Sequence, residues 1–151
     1  MTRYRNASEL PSHLREQVDG KGPAKPAGAA KRSKYGNQAV LMDGQRFDSK
    51  LEADRYQYLR LMVVANQVRW FVRQVNFMLP GGIKYRADFV EIWDAGNGMS
   101  RAEVTDTKGV LTRDCINKLK QVEACHGIAV TICTRKGTQW IERHWRDHAA
   151  A

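Results

Sequence analysis

The sequence predicts a mixed α/β fold of the α+β kind, a mixed central β-sheet with helices packed against it. Three observations carry this prediction. A short hairpin precedes an amphipathic helix at residues 38–66, three strand-like segments follow one another between residues 68 and 108, and a helix–strand–helix pattern closes the chain. The order is therefore hairpin, helix, three strands, helix, strand, helix.

Each element has a local reason. Ala39-Val40-Leu41-Met42 and Gln45-Arg46-Phe47 flank Asp43-Gly44, a pair that tolerates positive φ and favours a two-residue type I′ hairpin turn. Ser49 with Glu52 three residues on is a capping-box signature. It opens a helix to about Asn66, whose Leu51, Tyr58, Met62 and Ala65 form an apolar stripe with Leu59 and Val63 beside it. Val68 to Phe77 is rich in β-branched and aromatic residues, and Pro80-Gly81-Gly82 turns the chain. Lys84 to Trp93 alternates, residues 94–98 turn again, and Arg101 to Lys108 is the next strand. Thr112 caps a helix to His126 with Gly127 at its C-terminus. Residues 127–133 read as a buried strand, and Thr138 to His148 as a last short helix.

Residues 35–151 form one domain on this reading, which suits a chain of 151 residues. Residues 1–34 read as a basic flexible arm with a short helix possible at residues 8–18. From Asp19 to Ser33 the arm is rich in Gly, Pro, Ala and Lys and has little apolar surface to bury.

Charge narrows the partners. The formal net charge is +9, and residues 1–36 hold eight Lys/Arg against three Asp/Glu, whereas the remainder holds 17 against 13. A cation excess of this kind attracts polyanions, and nucleic acid is the expected one. No apolar run approaches the roughly 20 residues that span a bilayer, and no secretory pattern opens the sequence. The three cysteines, Cys115, Cys125 and Cys133, cannot all pair within one chain and read as reduced thiols of a cytoplasmic protein. A zinc site from these cysteines and His126 lacks the usual CxxC pair.

The informative constellation is Tyr85-Arg86-Ala87-Asp88-Phe89-Val90 followed by Glu103-Val104-Thr105-Asp106-Thr107-Lys108-Gly109. Strand side chains alternate, so Asp106 and Lys108 share a face while Thr107 and Glu103 point away from it. Charged groups inside apolar strands are costly unless paired or bound to metal. If the two strands are neighbours, Asp88, Asp106 and Lys108 meet at one point, and Glu52 on the preceding helix can complete the cluster. Phosphodiester hydrolysis requires that charge on phosphate be neutralised and a hydroxide be generated, which one or two Mg²⁺ ions held by a few carboxylates accomplish.

Asp88 followed by Asp106-Thr107-Lys108 resembles the PD-(D/E)XK nuclease superfamily, with Glu52 matching the acid its members often carry on the first core helix. Ala87 stands where the motif has proline, and Asp106 where glutamate is commoner. Residues 49–56, 85–89 and 106–109 resemble, more narrowly, a family of small phage proteins of unassigned function within that superfamily. The resemblance spans roughly residues 34–133 and implies a restriction-endonuclease-like fold.

It further implies a Mg²⁺-dependent endodeoxyribonuclease, with Mn²⁺ as a substitute, acting in phage recombination or replication. Asp88, Asp106 and Glu52 would hold metal, and Lys108 would position or activate water. Branched DNA such as a four-way junction, cut by a homodimer, is the implied substrate. Lys118, Lys120 and Gln121 on the following helix, together with Lys31, Arg32 and Lys34 of the arm, are candidate DNA contacts. Other readings compete residue by residue. Glu52 is explained by the capping box alone, Lys118 and Lys120 by a solvated helix face, and His144 and His148 by an amphipathic packing helix. For the whole chain, the alternatives are a non-catalytic DNA-binding or assembly protein on the same fold and a sequence-specific restriction-type nuclease.

Overall fold

A computed structural model describes residues 39–149. Strands β1 (Val40–Met42) and β2 (Gln45–Phe47) form the expected hairpin, with Asp43 and Gly44 at φ 51° and 71°. Helix α1 (Lys50–Val64) follows. Strands β3 (Val68–Leu79), β4 (Ile83–Gly96) and β5 (Met99–Thr107) then form an antiparallel meander. Helix α2 (Arg113–His126) carries the chain across to β6 (Val130–Lys136), which lies parallel to β5. β7 (Gln139–His144) returns antiparallel to β6, and the short α3 (Trp145–Ala149) ends the described chain. The five-stranded mixed sheet has the order β3-β4-β5-β6-β7, so the predicted fold class is the one observed.

The helices begin and end where their caps dictate. Ser49 Oγ accepts from the Glu52 N–H at 3.1 Å, and Thr112 Oγ1 accepts from the Cys115 N–H at 3.3 Å. Gly127, at φ 65°, closes α2 in the left-handed conformation that residues with a Cβ avoid.

One element differs from the sequence reading. Residues 139–144, expected in a final helix, form strand β7. Gly137, at φ 60°, opens a two-residue turn that brings Gln139 back opposite Lys136, and the hairpin so formed pairs β7 along β6 from Lys136 to Thr131. Helix forms only from Trp145 onward. Among the described residues, no helix is long and apolar enough to cross a membrane. The arm at residues 1–34, with Lys31, Arg32 and Lys34, lies outside the described residues.

Two apolar clusters build the core. Phe47, Ala53, Tyr56, Leu59 and Met62 of the hairpin and α1 pack with Val68, Phe89 and Trp93 of the sheet. Leu119 and Val122 of α2 pack with Tyr85, Ala87, Val104, Val130 and Ile132. The two faces meet at an irregularity. Phe71 and Arg73 of β3 lie against Tyr56 and Phe47 on the α1 side, whereas Phe77 lies against Tyr85 and His126 on the α2 side. All three are odd-numbered and would share one face of a regular strand. Gln74, at φ 54°, turns β3 over between them. The flanking pairs Arg73–Phe89 and Val75–Ala87 set Gln74 across from Asp88.

A polar network is sealed within the layers. The Arg55 guanidinium, fully buried, donates to both oxygens of the equally buried Glu91 and to Glu142 Oε1 at 2.8 Å. Thr105 Oγ1 and Trp93 Nε1 donate to the remaining lone pairs of Glu91. Burial opposes the charge on Arg55, yet the nearby acidic groups outweigh it and hold its pKa well above the usual value.

Candidate active site

The antiparallel ladder between β4 and β5 runs from the turn at residues 97–98 to Phe89 opposite Thr105, where regular pairing ends. The Asp88 side chain takes over from the backbone at that point. Its Oδ2 accepts from the Thr107 N–H at 2.8 Å and from Thr107 Oγ1 at 2.6 Å. Continuing the register puts Asp106 across from Asp88. β6, parallel on the other side, sets Asp106 beside Ile132 and Thr107 beside the buried Cys133.

Asp106 is fully buried. Its Oδ2 accepts a 2.6 Å hydrogen bond from the Tyr85 hydroxyl. Lys108 Nζ lies 3.1 Å from its Oδ1, close enough for an ion pair. The approach is too poorly aligned to count as a hydrogen bond, and Oδ1 is left without one. Asp88, Asp106 and Lys108 are thus brought together as the sequence predicts.

Electrostatics mark this point as crowded with negative charge. Burial and the facing charge of Asp106 raise the Asp88 pKa to about 7, against the lowering effect of the two Thr107 bonds. The Lys108 ammonium is partly buried, which works against its charge. Asp106 and Asp88 outweigh that effect and raise its pKa, so it stays protonated at neutral pH. Burial and Asp106 also push the Tyr85 hydroxyl up, keeping it a donor. The Cys115 thiol is raised by burial while Lys108 pulls the other way, which places the first turn of α2 beside the pair.

Glu52 is not brought into this group. Its Oε2 accepts from the Asp48 N–H at 3.1 Å, one residue before the cap, and its Oε1 accepts from Arg73 at 3.1 Å and Gln74 Nε2 at 3.5 Å. It reaches the residue across from Asp88, but both oxygens are engaged. Among the described residues no three His, Cys, Asp or Glu side chains converge as a metal-binding group. A cation placed here would meet two carboxylates, a set that Mg²⁺ can use. That ion keeps several waters and takes one or two carboxylates plus substrate phosphate. The buried Asp106 Oδ1 without a hydrogen bond supplies the open lone pair such an ion needs.

The helix residues are less committed. Lys118 pairs with Asp114 at 3.1 Å, Lys120 is exposed on a surface cavity of about 450 Å³ lined also by Glu123, Trp145 and Arg146, and Gln121 is half-buried. None of the three has a described contact with the aspartates. Nearer in sequence to them are the exposed Lys84 and Arg86 on β4 and Arg113 at the start of α2. Arg86 bonds the exposed Asp48, while Lys84 and Arg113 have no acidic partner among the described residues. Sequence reasoning missed Tyr85 and Thr107 as partners of the acids, and Gln74 altogether. A tyrosine and a threonine beside acids in strands could have suggested the first two.

Residues 32–135 match the model of a family described as a protein of unknown function (DUF1064). No curated protein and no solved structure matches the chain.

Proposed function

The chain belongs to the DUF1064 family, whose description assigns no activity, and from its site we propose that it is a Mg²⁺-dependent endodeoxyribonuclease of the PD-(D/E)XK kind. One observation carries this reading. The half-buried Asp88 and the fully buried Asp106 face each other beside a charged lysine, at the point where β4 and β5 stop pairing, and Oδ1 of Asp106 lacks a hydrogen bond.

Asp88 and Asp106 would hold the metal. When bound, Mg²⁺ acts as a Lewis acid on the scissile phosphate and makes water more acidic. The protein's own groups do the rest. The Asp88 carboxylate, with a pKa near 7, gives up its proton when a cation takes that proton's place. Lys108 keeps its ammonium protonated and directs N–H donors toward the charge that develops on the phosphate oxygens. It acts as an electrostatic clamp and water-orienting donor, since a raised pKa does not suit a general base. Lys84, Arg86, Arg113 and Lys118 offer cations for backbone phosphates on the elements that flank the acids. Such contacts position DNA without reading its sequence. Branched DNA cut by a pair of copies, one on each of two strands, is the substrate this reading favours. Restriction-type cleavage and non-catalytic binding are the outcomes it must be tested against.

The test incubates the full chain with linear, nicked, flapped and four-way DNA in Mg²⁺ or Mn²⁺. The expected result is cleavage of branched substrates that Asp88→Ala and Asp106→Ala abolish while binding persists. Fixed cut sites on linear duplex would replace structure selection with sequence specificity. Metal-independent binding with no product on any substrate would overturn the enzyme.

A further inference from the structure

We infer that Tyr85 and Thr107 are positioning residues, each tying down one oxygen of an aspartate so that the two Oδ1 atoms are offered to a single cation. The inference deepens the metal-site reading above and rests on it. Tyr85, itself buried, spends its hydroxyl on Asp106 Oδ2 at 2.6 Å. Thr107, also buried, spends both its N–H and its hydroxyl on Asp88 Oδ2, at 2.8 and 2.6 Å. Three donors thus converge on the two Oδ2 atoms, and no protein donor makes an aligned bond to the buried Oδ1 of Asp106.

A carboxylate free to rotate presents either oxygen, and orienting it costs entropy each time a cation binds. Fixed donors to one oxygen remove that rotation in advance, which is how hydrogen-bond partners behind ligating carboxylates tune a metal site. The arrangement also follows from the chain path. Thr107 lies between Asp106 and Lys108, so one three-residue segment supplies a ligand, the tie for the other ligand, and the cation. Tyr85 reaches Asp106 because β3 and β4 turn over around Gln74 and Asp88, which brings an odd-numbered side chain to the α2 side.

The experiment titrates full-length wild type, Tyr85→Phe, Thr107→Val, Thr107→Ser and Asp106→Asn with Mn²⁺, reading free Mn²⁺ by electron paramagnetic resonance. Tyr85→Phe and Thr107→Val should weaken binding by about 10- to 100-fold, the usual effect of removing a hydrogen-bond partner of a metal ligand. Thr107→Ser, which keeps both donors, should stay close to wild type, and Asp106→Asn should abolish binding. In cleavage, the two weakened variants should need more Mg²⁺ for half-maximal rate yet approach the wild-type rate at saturation. The Thr107→Val and Thr107→Ser pair keeps the test intact should Tyr85→Phe misfold. Wild-type affinity in Tyr85→Phe and Thr107→Val, with binding lost in Asp106→Asn, would overturn the positioning role and leave the metal site standing. A wild type that binds no Mn²⁺ would overturn both.

Discussion

Replacing Asp88 with asparagine should stabilise the metal-free protein, and by more as the pH rises. Partial burial and the facing charge of Asp106 push the Asp88 pKa up to about 7 in the folded protein, from 3.8 in the unfolded chain. Below pH 3.8 both states hold the proton. Between that value and about 7 the unfolded chain has released it while the folded protein retains it, so folded stability falls with each unit of pH. Above about 7 both states are ionised and the loss is complete. From pH 5 to pH 8 about two units of this window are traversed, which amounts to roughly 3 kcal/mol.

Asparagine has nothing to titrate and keeps an oxygen for the two Thr107 donors. The stability of Asp88→Asn minus that of wild type should therefore grow by about 3 kcal/mol between pH 5 and pH 8. Urea unfolding in EDTA at both values measures it, and other titrating groups cancel in the difference. Added Mg²⁺ should stabilise wild type and not the variant, which lacks one of the two proposed carboxylate ligands. A difference that stays flat with pH, or that shrinks, would refute the crowding of negative charge on which the proposed metal site depends.

Three further outcomes follow from other parts of the molecule. Arg55→Ala leaves the fully buried Glu91 without its main partner, so it should lower stability by about 3–5 kcal/mol in urea unfolding; a loss under 1 kcal/mol would show the network to be dispensable. Ser49→Ala removes the α1 cap and should cost about 1 kcal/mol by the same measurement. Deleting residues 1–34, with their eight Lys/Arg, should weaken DNA binding and flatten its dependence on salt concentration; an unchanged slope in a filter-binding titration would exclude the arm from phosphate contacts.

What the sequence made legible was local. The Asp43-Gly44 turn, the Ser49 and Thr112 caps and the Gly127 terminus are each decided by residues within a turn of one another, and each is found where expected. The convergence of Asp88, Asp106 and Lys108 was legible because consecutive antiparallel strands are neighbours, and β4 and β5 are joined by a short turn. The hairpin from β6 to β7 was misread as helix because Trp140, Ile141 and Trp145 suit either pattern, and the Gly137 turn decides it. Glu52 could be read as a cap. That Arg73, twenty-one residues on, would occupy its other oxygen depends on packing that no local pattern encodes. The same holds for Arg55 and Glu91, thirty-six residues apart. Gln74 is the least legible of all, since nothing marks a glutamine inside a strand for positive φ. A side chain held in that conformation costs about 1–3 kcal/mol, and here the distortion lies directly across from Asp88.

The central claim is that Asp88, Asp106 and Lys108 form a metal-dependent phosphodiesterase centre. The most direct measurement is single-turnover cleavage of a labelled four-way DNA junction by wild type, Asp106→Asn and Lys108→Met, with binding followed in the same samples. The account predicts Mg²⁺-dependent product from wild type, none after EDTA, and a loss of at least 100-fold in both variants with junction binding retained. Product that persists in EDTA or in Asp106→Asn, or bound junction that no divalent cation converts to product, would contradict it.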